Sequence, residues 1–171
     1  MSKQRMKIRQ NQYGFSLIEV IASLVIIGIL ATMTSVGVSN IFKGYLFTKD
    51  NAKTALRAQV VLTRLMKELS SVEGVAGGSK TSLTYSFIKN GVSVPNRVLS
   101  WSGTANDPLM LGGNILTQDV SDFELSYHDS YNDAGDNTWD GSEKMIGITL
   151  RLNGAMGVVS PFSIRIVPRN L

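Results

Sequence analysis

The 171-residue sequence contains no cysteine. That removes thiol nucleophiles, thiolate metal sites and disulfides, and it leaves the redox compartment open. Proline is scarce, with none before Pro95, so nothing of that kind interrupts a helix in the first half. No acid occurs from Met1 to Gly14, where Lys3, Arg5, Lys7 and Arg9 stand. Those bases account for the formal charge of +4, because the rest of the chain carries 13 bases and 13 acids. Gly74 to Leu171 holds seven bases against nine acids, which offers no surplus positive field to phosphates and argues against a nucleic-acid partner. Also missing are an H-E-x-x-H pair, a Walker loop, a dinucleotide fingerprint, internal repeats and low-complexity stretches. No cofactor and no enzymatic turnover are expected on that basis.

What is present begins with a long apolar run. Val20 to Phe42 is 23 residues without a charge, rich in Ile, Leu and Val. A helix of that length crosses a hydrocarbon layer of about 30 Å. The basic cluster precedes the run, so charge asymmetry puts residues 1–14 in the cytoplasm and the remainder on the far side. A cleaved secretory signal has a shorter apolar core of about 7 to 15 residues. A plain signal anchor fits the basic flank and the run together, yet it leaves Glu19 without a reason. An ionised carboxylate at the edge of the bilayer core costs on the order of 2 to 3 kcal/mol, so Glu19 calls for a cationic partner.

The run GFSLIEVIASLVIIGILA, Gly14 to Ala31, resembles the cleavage and methylation motif of type IV prepilins and type II secretion pseudopilins. It has a short basic leader ending in Gly14, an aromatic Phe15, and Glu19 as the fifth residue after the cut. The resemblance implies cleavage between Gly14 and Phe15 by a prepilin peptidase/methyltransferase, N-methylation of Phe15, and assembly with other pilins through the helix on an inner-membrane platform. Gly14, lacking a β-carbon, lets the backbone lie close in a protease cleft. Cleavage creates an α-amino group with a pKa of about 8, and Glu19 of one subunit can neutralise the Phe15 amine of a neighbour, which would fix the stagger between helices.

Beyond Phe42 the spacing stays helical: Ala52, Ala55, Leu62, Leu65, Leu69 and Val72 define an apolar stripe, with Lys53, Arg57, Arg64, Glu68 and Ser71 elsewhere. One helix is expected from Phe15 to about Val72, roughly 87 Å long, ended by Gly74, Gly77 and Gly78. The expected organisation is a leader at 1–14, an apolar assembly half of the helix at 15–42, an amphipathic half at 43–73 and a periplasmic β-rich domain at 74–171. This gives an α+β, pilin-like fold in which an antiparallel sheet packs on the amphipathic half, with a second small sheet possible.

In the last part the period drops to two. Leu83, Tyr85 and Phe87 alternate with polar residues, and Asn90-Gly91 marks a hairpin turn. Val92 to Trp101 reads as a strand with a break or an edge at Pro95, and Leu109 to Leu116 as one short strand. Phe123 to Tyr127, Ile146 to Leu152 and Phe162 to Ile166 follow, the last two joined by a turn at Asn153-Gly154. The order DFELSYHD, an acidic loop with Trp139, MIGITLRL and FSIRIVPRNL is similar to that of J-type minor pseudopilins and minor pilins. The resemblance, together with the missing cysteines, implies a minor subunit of a secretion pseudopilus or type IV pilus. The competing reading is a membrane-anchored adhesive or ligand-binding minor pilin at a filament tip.

Two further sets of residues could carry chemistry. Ser126, His128 and Asp129 can be drawn as a triad, but near neighbours on a strand alternate faces, so His128 is expected at the surface or a loop edge. The loop from Asp129 to Glu143 carries five acids and no base. Asp129, Asp133, Asp136 and Asp140 are hard-ligand candidates for calcium, at spacings that do not fit an EF-hand, and a plain solvated loop is the favoured reading. Trp139 within it is expected to act as a lid over a sheet edge.

Overall fold

The computed structural model describes residues 14–171, and the basic leader with Lys3, Arg5, Lys7 and Arg9 lies outside the described residues. Helix α1 runs Leu17–Leu69, 53 residues. It is followed by β1 (Val72–Gly78), β2 (Ser82–Lys89), β3 (Val92–Ser100), β4 (Leu109–Leu111), β5 (Asn114–Thr117), β6 (Val120–His128), β7 (Met145–Asn153) and β8 (Val159–Ile166). The fold is α+β, as the switch of period implied. The chain divides into two compact units at Tyr45 and Leu46.

In the first unit every described side chain is exposed, including Leu24, Val25, Ile26, Ile27 and Ile41. In the second unit one stripe of α1 is buried: Thr54, Ala58, Val61, Leu65 and Leu69. These recur at three and four residues, the spacing that aligns side chains on one helix face. The stripe is therefore rotated from the one expected, and Ala52 and Ala55 are exposed. The side chain of Thr54 reaches the buried face because its hydroxyl donates to Asp50 O at 3.0 Å, which satisfies its polar atom within the helix. Leu65 and Leu69 are fully buried, each contributing about 1.5 to 3 kcal/mol relative to exposure.

The helix stops at Leu69 rather than at Val72, and the glycine-rich segment that was expected to end it is a strand. Strand β1 pairs antiparallel with β2, with irregular register at Glu73 and Ala76. Glycine at 78 is demanded by a neighbour: a β-carbon there would lie 2.5 Å from Tyr127 Oη. Trp139 N donates to Gly78 O at 3.1 Å, and the Trp139 indole meets the Tyr127 ring edge-on at 5.6 Å. Trp139 thus covers the outer edge of β1.

Strands β1 to β5 form one antiparallel sheet in chain order, and β6 to β8 form a second. The β2–β3 hairpin turns at Asn90 and Gly91, both with positive φ (52° and 78°), as its sequence required. Pro95 lies at a bulge where the register jumps between Tyr85↔Arg97 and Phe87↔Val94, so its missing N–H disturbs no ladder bond. The segment read as one strand over Leu109 to Leu116 is a hairpin, turned by two glycines of positive φ, Gly112 and Gly113. The β7–β8 connection is also longer than a two-residue turn. Gly154 N donates to Val158 O at 2.7 Å, and Ala155 N donates to Asn51 Oδ1 of α1 at 3.1 Å, so the loop is shaped by its seat on the helix.

The core gathers the α1 stripe with Leu83, Tyr85, Leu99, Leu109, Phe123 and Leu125 and with inward residues of β7. One polar cluster ties helix to sheet within it. Glu68 Oε1 accepts from Tyr85 Oη at 2.7 Å and from Arg97 Nε at 2.9 Å. Burial raises the Tyr85 hydroxyl well above its ordinary pKa, and the Glu68 carboxylate reinforces this. Replacing Leu65 by alanine is expected to cost about 2 to 5 kcal/mol. Leu56→Ala, on the exposed side of the same helix, should change stability by under about 0.5 kcal/mol. Denaturant unfolding of the detergent-solubilised full chain, followed by tryptophan emission, separates the two.

Candidate functional site

The N-terminal end of α1 collects the residues expected to direct processing and assembly. Ser16 caps the helix: Glu19 N lies 3.3 Å from Ser16 Oγ, and Glu19 N and Val20 N donate to Ser16 O. Ser16 and Glu19 thus occupy the first and last positions of the S-x-x-E capping pattern. This role of Ser16 was missed in the sequence, although the spacing was there to read. Glu19 sits in the first turn, where the helix dipole favours an anion by a few tenths of a kcal/mol to about 1 kcal/mol. Its carboxylate has no hydrogen-bond or ion-pair partner among the described residues.

Phe15 is 80% exposed. A β-carbon on Gly14 would meet nothing within 4 Å, so no described residue requires glycine there. The helix that follows is long and apolar enough to cross a membrane, with none of its apolar window buried.

Among protein-family models, the prokaryotic N-terminal methylation motif matches residues 9–35. The chain carries a prepilin-type N-terminus. Within that prepilin motif lie Gly14, Phe15 and Glu19, together with the capping Ser16. The match ends inside α1, and the β-rich unit is outside it. No match was found among curated proteins or among solved structures.

Away from the prepilin motif, His128, expected at the surface or a loop edge, stands at the loop edge as the last residue of β6 but is not on the surface. His128 is 2% exposed. Its Nδ1 lies 3.2 Å from the backbone carbonyl of Asp133, which can only accept, so Nδ1 carries the proton and Nε2 accepts from Ser126 Oγ at 2.9 Å. Ser126 and His128 stand two apart on β6 and therefore share a face. Alternation along the strand separates Asp129 from the pair but leaves Ser126 beside His128. Gly147 opposite Ser126 makes the room, since a β-carbon there would lie 2.3 Å from Ser126 Oγ. Asp129 instead accepts from Ser142 Oγ at 3.0 Å. What this arrangement does is fasten the following loop to β6.

Three of the loop carboxylates are turned to their own backbone. Glu143 accepts from Asp140 N and Gly141 N at 2.9 Å each, Asp133 from Asp129 N at 3.3 Å, and Asp140 from Ser142 N at 2.8 Å. Among the described residues no three acidic or imidazole side chains converge as a metal site would require.

The hydrogen bond from Ser142 N holds the Asp140 carboxyl below its ordinary value of 3.8. A carboxyl with a lowered folded-state pKa stabilises the fold above its unfolded value and loses that contribution as pH falls through the folded one. The loop around Trp139 is therefore expected to loosen as pH drops past 3.8. In a Trp101→Phe background, where Trp139 is the one tryptophan left, its emission should shift to the red over that range, and Asp140→Asn should flatten this transition. An unchanged profile in Asp140→Asn would assign the transition to another group.

Proposed function

We propose that this chain is a structural subunit of a type II secretion pseudopilus or type IV pilus. In this reading a prepilin peptidase cuts between Gly14 and Phe15 and methylates the new amine. The apolar half of α1 is held in the inner membrane, with residues 74–171 on the periplasmic side. The chain then enters a filament through that helix, alongside other pilins or pseudopilins, and has no turnover of its own.

The observation that carries this reading is Glu19: a carboxylate without a partner among the described residues, at the head of an exposed apolar helix. A capping serine and the helix dipole lessen its cost but do not supply a full positive charge. The methylated Phe15 amine of an adjacent copy or relative does, and methylation keeps that charge. The match of residues 9–35 to the methylation motif and the basic residues ahead of the apolar run support the cut and the orientation. The exposed apolar surface from Phe15 to Phe42 supports a surrounding of lipid first and of other helices afterwards.

Glu19→Val separates processing from assembly. The variant is expected to be cut and to remain in the membrane, while its recovery in sheared or pelleted filaments falls about tenfold or more, the factor that about 1.4 kcal/mol of lost pairing produces. Glu19→Asp, which keeps the charge on a shorter side chain, should retain part of the incorporation. Normal incorporation of Glu19→Val would rule out charge pairing as the assembly device.

A further inference from the structure

The second unit contains a groove of about 570 Å³ between the last turns of α1 and strands β2 and β3. Arg64 and Lys67 border it from the helix, Lys89 from the end of β2, and Arg97 from β3. Its apolar floor includes Ile88 and Val94. One acid lines the groove, Glu68, and its charge is already matched by Arg97 at 2.9 Å. Glu73 accepts from Ser93 Oγ and does not border the groove. No acid among the described residues pairs with Arg64, Lys67 or Lys89. Lys67 in the last turn complements the helix dipole, but that explains neither Arg64 nor Lys89. Three unmatched cations from two elements thus stand round an apolar floor, in a unit whose overall charge is close to balanced.

The same chain presents the complementary surface elsewhere. Asp129 to Glu143 carries five acids and no base; Glu143 is buried, which leaves Asp129, Asp133, Asp136 and Asp140 for a partner, and Tyr131 is 76% exposed with the Arg165 guanidinium over one side of its ring at 5.7 Å. No residue of that loop lines the groove, so the two surfaces do not meet within one copy. We propose that the groove takes the Asp129–Glu143 loop of a second copy of this chain, with loop carboxylates on Arg64, Lys67 and Lys89 and Tyr131 against Ile88 and Val94. Such a contact joins two different patches head to tail. It does not close on itself, and so it can repeat along a filament. The inference rests on the filament reading and adds a charge-complementary contact between the β-rich units.

The absence of cysteine gives a clean background for the test. Two full-length copies with different tags, one Lys89→Cys and the other Asp136→Cys, are co-expressed in cells that assemble the chain, and membranes and sheared filaments are oxidised. A mixed disulfide dimer is expected well above the level of either variant alone. Adding Lys67→Glu to the Lys89→Cys copy should lower its yield about tenfold, and Asp133→Lys in the other copy should restore part of it, the pattern of a direct charge pair. Mixed dimer no more abundant than same-variant dimer, or a yield that Lys67→Glu leaves unchanged, would overturn the proposal. Cross-linking of the Lys89→Cys copy to a different protein, with no mixed dimer, would also overturn it. The filament fraction keeps the two readings apart: copies that are incorporated but not linked count against this contact alone, and copies that are never incorporated count against the filament reading.

Discussion

A carboxylate at the head of an apolar helix is the constraint on which the rest of the structure turns. Glu19 stands in a helix whose next charge is Lys43, and the described apolar side chains between them are exposed. Water cannot be the permanent surrounding of such a surface, because burying it is the main favourable term open to it. Lipid or neighbouring helices can cover it, but both raise the cost of an unpaired charge. The two demands are met together only where a cation arrives with the covering surface. A neighbouring helix that begins with a charged amine meets both, and in the proposed reading this ties a cut at Gly14 to the way the helix packs.

The far half of the same helix answers to a different surrounding. Between Thr54 and Leu69 one narrow stripe is buried and the other faces stay in solvent. The stripe is fixed in rotation by Leu65 and Leu69 and by Glu68, which reaches Tyr85 and Arg97 on the sheet. A partly buried carboxylate stripped of either partner would be costly, so the cluster sets which face of the helix meets the strands. From there the chain turns directly into β1. Its glycine at 78 lets Tyr127 approach, and the Tyr127 hydroxyl donates to Ser79 O at 2.9 Å. Trp139 and the loop that carries it rest on that contact.

The long apolar helix, the prepilin-type motif and most strands were legible because each follows from a short-range rule: an uncharged run of sufficient length, a motif of fixed spacing, an alternation of period two. The errors fall where a distant residue decides. Glycines 74, 77 and 78 look like a helix stop, and only Tyr127, far along the chain, explains the glycine at 78 of a bulged edge strand. Ala52 and Ala55 are apolar enough to be read into the stripe, yet Thr54 satisfies its own hydroxyl and takes the buried position. His128 was expected at the surface or a loop edge, and its burial there depends on Gly147, which is remote in sequence and opposite its partner Ser126 in register. The acidic loop was read as a plain solvated loop with calcium as the other candidate, and Asp133, Asp140 and Glu143 in fact bind backbone N–H groups two to four residues away. That use leaves no trace in their spacing.

The central claim is that a new, charged amine at Phe15 is the partner for which Glu19 is placed. Mass spectrometry of the protein extracted from membranes or filaments of cells that carry an active prepilin peptidase reads this most directly. The account predicts a chain that begins at Phe15 with a methylated nitrogen. A chain that keeps residues 1–14 in the assembled fraction, or one recovered uncut and wholly soluble, would contradict it.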